Sequence, residues 1–178
     1  MRNRIVELFS LILRTFINQF VSMETRELIV RQAYSKMAQI CSRSEQCSSD
    51  IRKKMAAYDL EEEIVDEVIS KLMAENFLND ERYVKAYISD KFRLNKWGKI
   101  KMRHYLRMKG LPENTIHDAL DEIDEEKYKT VLIKTMKDKA KTIKKKSKFE
   151  KMGKIIRFAQ MRGFEPEMIH RYMDLVIE

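Results

Sequence analysis

The two Gly-x-Pro-like punctuation marks constrain this chain most. Gly110-Leu111-Pro112 and Gly163-Phe164-Glu165-Pro166 each place a glycine where a helix ends in left-handed geometry, and then a proline suited to the first turn of the next helix. The segments around them, MRHYLRMKGLPENTIHDAL and IIRFAQMRGFEPEMIHRYM, align without a gap at an offset of 53 residues. Tyr105 falls over Phe158, Lys109 over Arg162, Ile116 over Ile169 and His117 over His170. A weaker third copy, IRKKMAAYDLEEEIVDEVI, carries Asp59 at the glycine's position, and aspartate tolerates left-handed backbone better than most residues. A spacing near fifty residues, seen three times, predicts tandem units.

Each unit reads as three helices. In the middle one, Asn79 is a suitable N-cap for DERYVKAYISDKF, with Tyr83, Val84, Tyr87 and Ile88 as an apolar stripe. Trp97-Gly98 turns the chain into KIKMRHYLRMK, where Met102, Tyr105 and Leu106 recur at helical spacing as a core face, and Ile116, Leu120 and Ile123 follow Pro112. With four glycines and two prolines in 178 residues, few positions break a helix, and no alternating strand pattern persists. The expected fold is all-α: three tandem three-helix repeats over residues 23–76, 77–124 and 125–178, stacked into an elongated, curved array. Residues 1–22 form an N-terminal extension. From Ile5 to Val21 its apolar and polar residues separate onto two sides, an amphipathic helix too charged and too short for a membrane span, with no small-residue cleavage signature for export. Met23 is an alternative start.

The stretch LNKWGKIKMRHYLRMKG, Leu94 to Gly110, sets six basic residues beside the only tryptophan and contains no carboxylate. If the apolar positions face inward, Lys101, Arg103 and Arg107 are displayed, flanked by Lys96 and Lys99, as a cationic face free of the chain's own carboxylates. Such a face suits phosphates or an acidic protein surface, or is only a solvated helix side. Trp97 stacks on a base, anchors an interface, or caps a small core. The run KDKAKTIKKKSK, Lys137 to Lys148, adds seven lysines; either Lys144, Lys145 and Lys146 make direct DNA contact there, or the run is a frayed, exposed helix end. Between the two lies HDALDEIDEE, strongly acidic, which either attracts neighbouring lysines or turns DNA away from that side. The balance of 36 basic against 28 acidic residues gives a net charge of +8 and favours a polyanionic or acidic partner.

Chemistry has few footholds. His104, His117 and His170 stand apart, no H-E-x-x-H or glycine-rich phosphate loop occurs, and Cys41 and Cys47 are wrongly spaced for C-x-x-C, so neither catalytic residue, metal nor other cofactor is expected. Two cysteines without a scaffold pattern fit a reducing, cytoplasmic setting.

The middle unit, FLNDERYVKAYISDKFRLNKWGKIKMRHYLRMKGL, resembles the central repeat of the bacterial RecX regulatory proteins: a Leu-Asn-Asp start, an aromatic pair four apart, a glycine-led turn, and a helix closing in Lys-Gly before an apolar residue. CSRSEQCSSDIRKKM resembles that family's opening segment. The resemblance covers residues 27 to 178 and fades in the third unit. It implies a non-catalytic protein, expected as a monomer, that binds in the groove of the RecA recombinase filament on single-stranded DNA and restrains its ATPase, strand-exchange and coprotease activities. The partners implied are RecA and, directly or through the filament, single-stranded DNA, with no small-molecule substrate and no membrane. The competing expectation is a stand-alone DNA-binding protein using helix-turn-helix-like pairs.

Overall fold

The structure is a computed structural model and describes residues 23–144 and 147–177. The expected amphipathic helix at the N-terminus, Lys145 and Lys146 lie outside these residues. Among the described residues the chain is helical throughout, without a strand, as three successive three-helix sets. The first comprises a helix over 23–41 (α1), Ser48–Met55 (α2) extended by a 3₁₀ turn at Ala56–Tyr58, and Glu62–Ala74 (α3). The second comprises Asp80–Asn95 (α4), Lys99–Met108 (α5) and Glu113–Asp121 (α6). The third comprises Glu125–Thr142 (α7), Lys148–Met161 (α8) and Pro166–Arg171 (α9), closed by a 3₁₀ turn at Met173–Leu175.

The middle helix of every set ends as the punctuation predicts. Gly110 has φ 73°, Gly163 φ 85° and Asp59 φ 49°, so the aspartate in the divergent first copy adopts the same left-handed geometry as the glycines. At Gly110 a side chain would meet nothing within 4 Å, and the backbone angle alone explains the residue. Helix starts are equally local. Asp124 accepts from the Lys127 amide at 2.7 Å to begin α7, and Ser147 and Glu150 form a reciprocal capping box at the start of α8. That box, S-K-F-E in the sequence, overlaps the end of the lysine run.

The chain divides into two compact units, one through Asn79 and one from Asp80 onward. In the first, Val30, Met37, Ile51, Met55, Val68, Leu72 and Leu78 form the core. The second holds both later sets. Val84, Ile88, Met102, Leu106, Ile116 and Leu120 are buried in the middle set, while Leu132, Met136, Ile155, Ala159, Phe164 and Ile169 pack in the last. Removing such side chains from water is the main favourable contribution, on the order of 2 kcal/mol for each large one. Tyr105 departs from the expected core face: it is 42% exposed while Met102 and Leu106 on the same helix are fully buried. Residue 105 lies one position before Leu106, at the edge of the α5 stripe, and its ring turns outward.

Gly98 joins the two sets of the second unit. Its φ is an ordinary −83°, but a Cβ there would lie 2.1 Å from the Gly163 carbonyl oxygen, and a Cβ on Gly163 would lie 2.2 Å from that of Lys101. The amides of Gly98 and Ile100 donate to the carbonyls of Arg162 and Gly163 at 2.8 and 3.1 Å. The Lys99 amide between them donates to the Tyr128 hydroxyl at 2.9 Å, and that hydroxyl donates to Glu165 at 2.6 Å. The first turn of α5, whose amides lack partners within the helix, is thus completed by the third set. A turn-forming role alone does not account for Gly98; space for backbone crossing is the larger reason.

Candidate partner-binding surface

The cationic candidates on α5 fall into two groups, separated by what each side chain touches. Arg107 Nε lies 2.5 Å from a Glu113 oxygen, and Arg103 Nε lies 3.5 Å from the other oxygen of the same carboxylate. The expectation of a face free of internal carboxylates is therefore corrected at these two positions. Arg107 bridges the Gly110 turn to the first residue of α6, and its hydrogen bond and charge hold the Glu113 carboxyl below the usual range. The first set repeats the arrangement: Arg52, which aligns with Arg103, pairs with Glu62, which aligns with Glu113. A contact that recurs between equivalent residues of two repeats belongs to the architecture of the turn. Two guanidinium groups on one carboxylate still leave a surplus positive charge, and Arg107 remains 60% exposed.

Lys99 is drawn inward as well. Its ammonium sits 3.8 Å from Asp121 and 5.6 Å from the centre of the Tyr128 ring, and its side chain is 24% exposed. The acidic segment after Pro112 thus spends part of its charge inside the chain: Asp121 on Lys99, Glu122 on Lys85 at 2.7 Å, and Asp124 as a cap. His117 and His170 occupy matching exposed positions, and His117 Nδ1 lies 3.3 Å from Asp121.

Lys101 and Trp97 are placed differently. The Lys101 ammonium stands over the Trp97 ring, 4.5 Å from its centre, and donates to the Met161 carbonyl at 3.2 Å. Trp97 is half-buried and stacks on Tyr105 at 5.1 Å with 27° between planes. Lys91, which the sequence reading did not single out, completes the group, its ammonium 5.5 Å from the Trp97 ring centre and 5.2 Å from that of Tyr87. Tyr87 stacks on Tyr83 at 6.1 Å, and Lys109 stands 5.4 Å over Tyr83. Tyr83, Tyr87 and Lys91 on α4, and Lys101 and Tyr105 on α5 with Lys109 directly after its end, are each four residues apart, so each trio follows one helical stripe. Burial pushes the Tyr87 hydroxyl up to about 12. The i,i+4 spacing is visible in the sequence, but it fits a core stripe of Tyr83, Tyr87 and Tyr105 equally well.

Lys96 is exposed and left-handed, with φ 55°, immediately after α4. Its ammonium donates to the Arg93 carbonyl. It borders a groove of about 340 Å³ lined also by Lys139, Phe158 and Arg162, in which Lys139 and Arg162 each stand 5.1 Å from the Phe158 ring centre. Of the lysine run, residues up to Thr142 continue α7 and Lys144 is exposed beyond it, apart from the α5 residues in the chain's order of elements. Cys47 is a buried thiol outside any disulfide, and no cluster of three or more metal-ligating side chains occurs among the described residues. Nor is any helix among them long and apolar enough to cross a membrane.

Residues 79–120, which are α4 to α6 with their flanking turns, match the family model described as RecX, second three-helix domain. The regulatory protein RecX of Clostridium perfringens is 33% identical over 118 residues, 65% of this chain and 55% of that protein. The regulatory protein RecX of Clostridioides difficile is 25% identical over 82% of this chain and 68% of its own length, and that of Neisseria gonorrhoeae 29% identical over 73% and 81%. This chain therefore spans little more than half the length of the Clostridium perfringens relative. Two crystal structures share the fold. One, of a regulatory protein RecX, superposes with a TM-score of 0.75 at 25% identity over 82% of this chain and 71% of its own. The other, of RecX from Lactobacillus salivarius, superposes with a TM-score of 0.76 at 20% identity over 83% and 96%.

Proposed function

We propose, on the premise that this chain is by sequence and fold a relative of the RecX regulatory proteins, that it is a non-catalytic regulator of the RecA recombinase. It binds the filament that RecA forms on single-stranded DNA and inhibits its ATPase, strand-exchange and coprotease activities in DNA repair and recombination. The observation that carries this reading is the match of residues 79–120 to the family's second three-helix domain. Those helices also present the lysines and rings described above. The contact surface proposed comprises Lys96, Trp97 and Lys101, with Arg103, Arg107 and Lys99 adding field around it, and with Lys144, Lys145 and Lys146 reaching DNA from the third repeat. Positive charge of this kind accelerates encounter with a nucleoprotein polymer and loses effect as salt rises.

Binding rather than catalysis is the mechanism, because a surface of cations and rings gains its energy from contact. Cytoplasmic action as a monomer, on a partner large enough to meet all three repeats, completes the proposal. The test adds the protein to cognate RecA on single-stranded DNA and follows ATP hydrolysis and strand exchange. A saturable fall in both is expected; unchanged rates at saturating protein remove the assignment.

A further inference from the structure

The structure assigns a single-stranded nucleic-acid stacking site to the aromatic–lysine strip formed by Tyr83, Tyr87, Trp97 and Tyr105 with Lys91, Lys101 and Lys109. This deepens one branch of the proposed function, direct contact with the single strand, and names the surface and chemistry that would make it.

Three observations converge. First, the strip is continuous: Lys109 lies over Tyr83, Tyr83 stacks on Tyr87, Lys91 spans Tyr87 and Trp97, Trp97 stacks on Tyr105, and Lys101 lies over Trp97. The other lysine–ring contacts among the described residues are single pairs at Tyr58 and Tyr172, flank one ring at Phe158, or, for Lys99, meet the buried Tyr128 in its cluster with Phe92 and Phe164. Second, the rings are at the surface, with Tyr105 exposed and Tyr83, Tyr87 and Trp97 half-buried, whereas the neighbouring Val84, Ile88, Met102 and Leu106 take up the core. Third, the charge is available. Lys91 and Lys101 make no ion pair with any described residue, in contrast to Arg103, Arg107 and Lys99, which meet Glu113 and Asp121.

Rings and ammonium groups alternating along one strip match the two components of an unpaired strand, since every base offers a π-face and every linkage a phosphate. A lysine resting on a ring is held near the surface by a weak cation–π attraction. When a base takes the ring face, the ammonium swings from the ring to the adjoining phosphate, so both components are gained together. Duplex DNA satisfies only half of this, because its bases are stacked on one another and paired, and an acidic protein surface likewise lacks the planar faces.

The experiment uses the whole chain without recombinase. Trp97 is the only tryptophan, so its fluorescence reports on the strip alone. Titration with oligothymidylate is expected to quench it, while an abasic deoxyribose-phosphate oligomer of equal length leaves it largely unquenched. Anisotropy of a labelled oligothymidylate should weaken about tenfold for Tyr105→Leu, which removes an exposed ring and keeps an apolar side chain. With Lys91 and Lys101 engaged, the slope of log K against log salt should be steeper by about 1.4 in the native chain than in Lys91→Gln/Lys101→Gln. No quenching, equal quenching by the abasic oligomer, or unchanged affinity in Tyr105→Leu with helicity intact overturns the assignment. Because RecA is absent, each outcome is independent of whether the chain inhibits a filament.

Discussion

Replacing Gly98 by alanine forces a methyl group against backbone that has nowhere to go. The new Cβ would lie 2.1 Å from the Gly163 oxygen, 2.3 Å from its carbonyl carbon and 2.4 Å from the Phe164 nitrogen, all main-chain atoms. Relief requires α5 to move off the α8–α9 turn, which strains or breaks the amide bonds from Gly98 and Ile100 to Arg162 and Gly163. Overpacking costs about 1–3 kcal/mol, and each buried amide left without a partner about 1–3 kcal/mol more, so the expected loss is roughly 3–5 kcal/mol. For a second unit of this size that lowers the midpoint by about 15–25 °C. Gly110→Ala supplies the control, since its φ of 73° disfavours alanine but nothing lies within 4 Å, and only about 1 kcal/mol is expected. Thermal unfolding followed by Trp97 fluorescence isolates this unit, because the only tryptophan lies in it. A Gly98→Ala midpoint within a few degrees of wild type, or equal costs for both substitutions, would refute the backbone-crossing argument.

Lys96→Gly relieves a left-handed lysine and should raise stability by about 0.5–1 kcal/mol while weakening filament binding; a fall in the unfolding midpoint contradicts it. Tyr128→Phe removes the hydroxyl that links the Lys99 amide to Glu165 inside the core, and chemical denaturation should show a loss of about 2–3 kcal/mol. Glu113 has its pKa lowered in the folded state, so its contribution is present above the unfolded value near 4.3 and lost as pH falls through the folded one. Glu113→Gln should therefore lower the midpoint at pH 7, by a difference that shrinks as pH falls below the carboxylate range; a difference that does not change with pH excludes the ion pairs as its cause.

The features that sequence disclosed are those governed by local chemistry. The left-handed positions at Asp59, Gly110 and Gly163, the helix start beside Asn79 and the apolar stripe of Met102, Leu106, Ile116 and Leu120 all follow from backbone preference and helical period. What it concealed depends on which residues distant in sequence meet. Gly98 looks like a turn glycine until Gly163 is placed against it. Tyr83, Tyr87 and Tyr105 satisfy an apolar period, yet an amphipathic ring at a stripe's edge can face either way, and only the packing of α4 beside α5 decides. Arg107 and Glu113 are six residues apart across a turn whose geometry is readable in the sequence, and the aligned pairs Arg52–Glu62 and Arg103–Glu113 are the repeated signal that this turn carries an arginine–carboxylate contact.

Affinity for RecA-coated single-stranded DNA against affinity for the same strand bare, at one fixed salt concentration, tests the central claim most directly. A regulator of the filament binds the coated strand markedly more tightly, and charge reversal at Lys96 and Lys101 narrows that preference. Equal or weaker binding to the coated strand contradicts the account and leaves a DNA-binding protein in its place.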